Sequence, residues 1–201
     1  MARVSSTNAG LTLFLSNEDI DSQRLRWLVA EKSIENLRIV IVDPATRNDD
    51  LMVLNSRHEL PTLAERNLVI SGVDIISEYL DARHPYPNLV PAEPAGQARM
   101  RMTLKLLDKD LGQALPQRTT AKAVSTALLT LDELLGRRKF MVGGSMSMVD
   151  IYLVPLLWRV TAMGHKWPKG TESLHAYAQR MSERNAFQQS LTRREAAYGL
   201  D

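Results

Sequence analysis

Three prolines within seven residues divide this chain into two parts of different character. The segment reads His84-Pro85-Tyr86-Pro87-Asn88-Leu89-Val90-Pro91, and its prolines exclude it from a helix interior or a central strand. Strand-like apolar runs occur only before it, whereas apolar residues recur at helical spacing after it. The sequence therefore predicts one domain over residues 10–87, a linker over 88–95 and an all-helical domain over 96–201.

The part before this segment alternates strand-like and helix-like stretches. Short apolar or β-branched runs predict strands at residues 11–15, 39–42, 62–64 and 67–70. Apolar residues at helical spacing predict helices through residues 25–32, near 51–55 and at 75–80. The resulting order, βαβαββα, is typical of a compact α/β unit with a mixed sheet.

The part after the segment shows helical periodicity only. It predicts amphipathic helices at residues 100–111, 124–135, from 147 onward and at 174–181, with a short terminal piece at 187–191. Gly136 is placed to end the second of these helices. Ser147 and Asp150 have the spacing of a capping box for the third helix, which predicts a structural rather than a catalytic role for both residues.

Composition narrows the possible chemistry. The 201 residues include no cysteine, which excludes disulfides, thiolate metal sites and a cysteine nucleophile. No apolar run approaches the ~18 residues of a membrane span, and the N-terminus lacks the apolar stretch of a signal peptide. We therefore expect a cytoplasmic protein without membrane association. The histidines (His58, His84, His165 and His175) lack metal-ligand spacing, and no glycine-rich phosphate loop is present.

Charge differs between the two parts, although the formal net charge is only +2. Residues 1–87 hold 9 Lys and Arg against 13 Asp and Glu, a balance of −4, whereas residues 88–201 hold 16 against 10, a balance of +6. Basic residues of the second part cluster at 99–109 and 137–139. They follow no recognition-helix pattern, so we interpret them as solvated surface and expect no direct sequence-specific nucleic-acid binding.

Three motifs together resemble the glutathione-transferase superfamily. They are a strand beginning with Leu60-Pro61-Thr62, a helix ending in Tyr79-Leu80-Asp81 before the prolines, and Ser147-Met148-Val149-Asp150 at the start of an apolar helix. The resemblance implies a thioredoxin-like N-terminal domain, a helical C-terminal domain of the transferase type, and a homodimer.

Further strings are similar to one group of that superfamily, the stringent starvation protein A group of bacterial regulators associated with RNA polymerase. These strings are Asp19-Ile20 with Ser22, Val29-Ala30-Glu31-Lys32, Glu78-Tyr79-Leu80-Asp81, residues 85–91 and residues 187–192. The similarity implies a protein partner, RNA polymerase holoenzyme including its sigma factor, contacted through the proline-rich surface.

A glutathione site in this superfamily would have two halves. The first is a cis proline, here Pro61, whose preceding residue Leu60 offers its backbone N–H and C=O to the ligand; the bond can equally be inherited fold geometry. The second is a Glu-Ser pair after the fourth strand, where this chain has Gly72-Val73 without a hydrogen-bonding side chain. Asp74 follows, but it points about 100° further around the helix. The resemblance therefore implies a vestigial cleft, with no cofactor.

Transferases of this fold also place a Tyr, Ser or Cys near the start of the first helix to activate the thiol. The corresponding stretch runs from Ser16 to Ser22 and includes three carboxylates, which oppose a thiolate. We interpret Ser22 as a solvent-facing or capping serine. The sequence thus predicts no catalytic residue.

We accordingly predict a non-enzymatic transcription regulator that binds RNA polymerase holoenzyme in the starvation or stress response. The predicted partner-binding residues are His84, Pro85, Tyr86 and Pro87, with the two rings projecting from a segment that proline stiffens. The same prolines can equally serve only to set the angle between two domains. The alternatives are a glutathione-dependent transferase or peroxidase, and a non-catalytic scaffold for another partner.

Overall fold

A computed structural model of the chain describes residues 10–109 and 120–200. The chain divides into two compact units, one ending at His84 and one beginning at Pro85. The first helix of the second unit begins at Pro94, within the segment predicted as a linker, because the fixed φ of proline suits the first turn of a helix. Leu111, predicted to belong to that helix, lies outside the described residues. The domain limits 10–87, 88–95 and 96–201 stay predictions.

The first unit has the predicted βαβαββα order. Its elements are β1 (Leu11–Leu15), α1 (Ile20–Glu31), β2 (Leu37–Ile41), α2 (Asp49–Leu54), β3 (Thr62–Glu65), β4 (Leu68–Ser71) and α3 (Val73–Arg83). The four strands form one mixed sheet in the order β2-β1-β3-β4. Strand β1 pairs parallel with β2 and antiparallel with β3, which pairs antiparallel with β4. This is the thioredoxin-like arrangement that the sequence predicts.

Strand β2 differs from its predicted limits, 39–42. Leu37 and Arg38 belong to the strand because they pair in register with Leu11 and Thr12 of β1, a long-range partnership that local β propensity does not report. Val42 lies just past the strand, where its N–H still donates to the carbonyl of Leu15 at 2.8 Å. Pairing with the central strand therefore sets the ends of the edge strand.

One cluster fixes the layer between the sheet and α2. Phe14, Val42 and Leu51 are buried together, and Leu60 and Ala64 pack against them. Helix α2 begins two residues before its predicted start because the side chain of Asn48 accepts a hydrogen bond from the N–H of Leu51 at 2.9 Å. This packing holds the Leu60-Pro61 turn against the sheet.

In the described part of the second unit, the regular elements are all helical. They are α4 (Pro94–Leu107), α5 (Ala121–Leu135), α6 (Met148–Val160), α7 (Glu172–Ser182) and α8 (Asn185–Ser190), followed by a short 3₁₀ turn at Glu195–Ala197. Gly136 ends α5 with a φ of 55°, as predicted. The capping box at the start of α6 is also confirmed, since the N–H of Ser147 donates to Oδ2 of Asp150 at 2.8 Å. Within residues 10–109 and 120–200, no helix is both long and apolar enough to cross a membrane.

Candidate functional site

The turn between α2 and β3 has the predicted cis geometry at the Leu60–Pro61 peptide bond. The carbonyl of Pro61 accepts a hydrogen bond from the N–H of Gly72 at 3.2 Å, which ties the turn to the start of α3. Among the residues that the structure describes, none makes a hydrogen bond to the backbone N–H or C=O of Leu60. Both backbone groups thus lack an internal partner among the described residues.

The position of the family's Glu-Ser pair lies at the start of α3. Gly72 is the N-cap residue with a φ of +96°, and no side chain caps the helix. A side chain at this position would be strained by that φ, and its Cβ would come within 3.1 Å of Oδ1 of Asp74. Val73, the first helical residue, contributes only an apolar side chain. Neither residue offers a side-chain donor or acceptor to a charged ligand.

A small cleft of about 300 Å³ lies beside these positions. Its lining consists of Leu54, Asn55, Ser56, Arg57, Glu59, Val69 and Ser71. The carboxylate of Glu59 lies 3.6 Å from the guanidinium of Arg57 and accepts a hydrogen bond from the hydroxyl of Ser71 at 3.1 Å. The predicted cleft residues Leu60, Pro61, Gly72 and Val73 are not part of this lining, and no sequence motif marks the residues that are.

The loop between β1 and α1 uses its hydroxyl groups internally. Ser22 is fully buried at the third position of α1, so its interpretation as a solvent-facing or capping residue is wrong. The N-cap is Asp19, which accepts hydrogen bonds from the N–H and the hydroxyl of Ser22 at 2.7 and 2.6 Å. The Ser22 hydroxyl in turn accepts from the N–H of Ser16 at 2.9 Å.

Ser16 is held in the same way. Its hydroxyl accepts from the N–H groups of Glu18 and Asp19 at 3.1 and 3.2 Å. Its carbonyl accepts from the guanidinium of Arg26 at 2.9 Å. Where a transferase presents a group to a thiol, this loop holds both of its hydroxyls in hydrogen bonds to its own backbone and side chains.

The proline-rich segment begins where α3 ends. His84 is the C-cap residue, and its N–H donates to the carbonyl of Leu80 at 2.9 Å. Its ring does not project as predicted: Nε2 is buried and has no hydrogen-bond partner among the described residues. Burial and the charges of Arg83 and Lys32 lower the pKa of His84, which favours the neutral ring.

Tyr86 projects as predicted, with 85% of its surface exposed. The prolines on either side of it, Pro85 and Pro87, are exposed as well. The Tyr86–Pro87 peptide bond is cis, which no sequence pattern indicated. Leu89, by contrast, is buried, and its carbonyl accepts a hydrogen bond from the N–H of Met148 at 2.9 Å. The segment thus presents the ring of Tyr86 outward. Three residues after Tyr86, the backbone hydrogen bond of Leu89 holds the segment in place.

A second group of residues holds the last turn of α3 against β3. Oε2 of Glu65 accepts from the hydroxyl of Tyr79 and from the guanidinium of Arg83, each at 2.5 Å. The hydrogen bond from Tyr79 is the main cause of the lowered pKa of Glu65, and the same bond raises the pKa of Tyr79. The carboxylate and the phenol therefore keep their acceptor and donor roles through the neutral pH range.

Basic residues cluster on α4 and in the segment that follows α5. Arg99, Arg101 and Lys105 lie on the exposed face of α4, as expected for a solvated face. In the 137–139 cluster, Nε of Arg138 donates to the carbonyl of Leu135 at 3.2 Å. Among the described residues, no group of three or more His, Asp or Glu side chains could hold a metal ion.

Comparisons with known proteins agree with this fold. The glutathione S-transferase N-terminal and C-terminal domain families match residues 22–83 and 112–185. Solved structures with the same fold include glutathione transferase Omega 3C from Trametes versicolor, with a TM-score of 0.81, 18% identity, and coverage of 93% of this chain and 86% of that one. Rice GST1, solved in complex with glutathione, has a TM-score of 0.80 and 26% identity, with 96% of each chain covered.

Among curated relatives, the stringent starvation protein A homolog of Pasteurella multocida is 31% identical, covering 95% of this chain and 94% of the relative. The homolog of Haemophilus influenzae is 32% identical with the same coverage of both chains. The homolog of Coxiella burnetii is 31% identical over 92% of this chain and 93% of the relative. The chain therefore belongs to the stringent starvation protein A family, within the glutathione S-transferase superfamily.

Proposed function

We propose that this protein is a non-enzymatic regulator of transcription in the starvation or stress response, and that it acts by binding RNA polymerase holoenzyme, including the sigma factor. The chain is similar over nearly its whole length to stringent starvation protein A homologs. The single observation that carries the proposal is the exposed ring of Tyr86 between two exposed prolines. The proposed contact consists of Pro85, Tyr86 and Pro87, with His84 supplying backbone rather than its ring.

The segment formed by Pro85, Tyr86 and Pro87 is preorganised for contact with a protein. Tyrosine is among the residues that most often contribute strongly to binding, because its ring buries a large area and has few rotatable bonds. Pro85 and Pro87 fix their own φ angles, so the segment loses little conformational entropy when it docks. An aromatic ring on such a segment can bury a large area against a partner at little entropic cost.

Two observations argue against glutathione chemistry. Gly72 and Val73 offer no side chain to the charged end of glutathione, which would forgo charge-assisted hydrogen bonds of about 1.5–3 kcal/mol each. The hydroxyls of Ser16 and Ser22 are engaged within the β1–α1 loop. The hydroxyl of Ser22 donates its proton to Asp19, and the hydroxyl of Ser16 is buried, so neither is an exposed group for a thiol.

The alternative is a glutathione-dependent transferase or peroxidase. One observation favours it: the cis Leu60–Pro61 bond and the unbonded backbone of Leu60 retain the first half of the family's clamp. If Leu60 alone held the ligand, binding would be weak. A calorimetric titration with glutathione separates the two functions.

The fold also suggests self-association. Several large apolar side chains of β4 and α3 are exposed: Leu68, Val69 and Ile75. Burying them between two copies would remove apolar surface from water. We propose a homodimer like those of the transferase family, and sedimentation equilibrium decides between one and two copies.

The proposed function is tested with purified polymerase holoenzyme and the immobilised protein. We expect the wild type to retain the holoenzyme and the variant Pro85→Ala, Tyr86→Ala, Pro87→Ala to lose it. Val53→Ala is the matched control, because Val53 is 76% exposed and lies on α2. Equal retention by the triple variant would remove the segment from the contact, and failure of the wild type to bind would refute the proposed partner.

A further inference from the structure

We infer that Lys32 and Asp81 are positioning residues for the partner-binding segment, an inference that rests on the proposed function. Lys32 is the C-cap residue of α1, and Asp81 lies in the last turns of α3. The ammonium group lies 2.6 Å from Oδ1 of Asp81, with the two side chains 0% and 5% exposed. The same ammonium donates to the backbone carbonyl of His84 at 2.7 Å.

Stability alone is a poor explanation for this pair. Removing two charges from water is costly, and apolar residues of similar volume often replace a buried ion pair without loss of stability. An apolar residue in place of Lys32 could not donate to the carbonyl of His84. That carbonyl lies at the end of α3, where the last carbonyls lack intrahelical donors and the helix dipole favours a cation.

The carbonyl of His84 belongs to the peptide plane that leads into Pro85. Because a peptide bond is planar, holding this oxygen fixes the orientation of the whole plane. The ring of Pro85 then fixes the next φ angle at about −65°. Only a few rotatable bonds therefore separate the Lys32 ammonium from the backbone of Tyr86, so the ammonium sets the direction in which the chain enters the exposed segment.

The test replaces both charged residues together, so that neither is left buried and unpaired. The double variant Lys32→Met, Asp81→Leu keeps the volume but removes the donor to the His84 carbonyl. We expect its melting temperature to stay within about 5 °C of the wild type and its Kd for RNA polymerase holoenzyme to rise about tenfold. Hydrogen exchange should accelerate in the peptide covering residues 84–91 and stay unchanged in the core strand β1.

The matched control is Arg47→Met, Asp49→Leu, which removes an ion pair whose side chains are 74% and 86% exposed. We expect its Kd to equal that of the wild type. A folded Lys32→Met, Asp81→Leu variant that binds within twofold of the wild type would overturn the inference. If that variant does not fold, Lys32→Leu with Asp81→Asn, which also lacks a side-chain donor at position 32, is judged by the same measurements of melting temperature and Kd. A wild type that does not bind polymerase refutes the proposed function instead, because the comparison then has no starting affinity.

Discussion

Asp150 at the start of α6 provides the sharpest stability prediction. Its carboxylate is fully buried and accepts four hydrogen bonds. Oδ2 accepts from the N–H and the hydroxyl of Ser147 at 2.8 and 3.0 Å, and Oδ1 accepts from the N–H of Met141 at 3.1 Å and the hydroxyl of Tyr177 at 2.7 Å. Burial and the neighbouring carboxylate raise the pKa of Tyr177 well above its ordinary value, so the phenol stays a donor.

The substitution Asp150→Ala removes all four acceptor contacts. The hydroxyls of Ser147 and Tyr177 can rotate towards other partners, but the N–H groups of Ser147 and Met141 would be left buried and unpaired. Each unsatisfied donor costs about 1–3 kcal/mol, so we expect a loss of about 4 kcal/mol in the free energy of unfolding. In a chain of this size the loss corresponds to a melting temperature lower by about 12 °C.

Thermal unfolding followed by circular dichroism measures this loss. Tyr177→Phe is the graded control, because it removes one of the four contacts and leaves both N–H groups paired. We expect it to cost about 1–2 kcal/mol. This role of the carboxylate is wrong if Asp150→Ala melts within about 3 °C of the wild type, or if Tyr177→Phe costs as much stability as Asp150→Ala.

Two further predictions concern the cleft and the proline-rich segment. Calorimetric titration with glutathione should give no heat of binding in the micromolar range, because Gly72 and Val73 supply no side-chain partner; micromolar binding would contradict this reading of α3. The lowered pKa of His84 means that the unfolded chain binds more protons than the folded one below about pH 6.5, so stability should fall as the pH drops through that range. Urea unfolding measures the change in the free energy of unfolding between pH 7.5 and pH 5.5, and this change should be smaller for His84→Gln than for the wild type. Equal changes in the two proteins would contradict a lowered pKa of His84.

The sequence predicted the elements whose signals are local. The apolar run of β1 and the capping box of Ser147 and Asp150 each carry their own physical cause within a few residues. The limits of β2 were missed because Leu37 and Arg38 join the strand through pairing with β1. The local β propensity of residues 37 and 38 carries no information about pairing with that distant strand.

The sequence predicted the candidate site less well than the fold, because the roles of the site's side chains depend on whether they are buried. Ser22 has the composition of a surface residue, yet it lies fully buried between Ser16 and Asp19. His84 was predicted to project beside Tyr86, but the C-terminal turn of α3 places its Nε2 atom away from solvent. The contact between Lys32 and the His84 carbonyl joins residues 52 positions apart, a pairing that no local motif encodes.

The proposed function depends on contact between the exposed ring of Tyr86 and RNA polymerase. A fluorescence-anisotropy titration of the labelled protein with purified holoenzyme tests it most directly, comparing the wild type with Tyr86→Ala and with Val53→Ala. We expect saturable binding by the wild type, an affinity at least about tenfold weaker for Tyr86→Ala, and no change for Val53→Ala. Equal affinities for the wild type and Tyr86→Ala would contradict it.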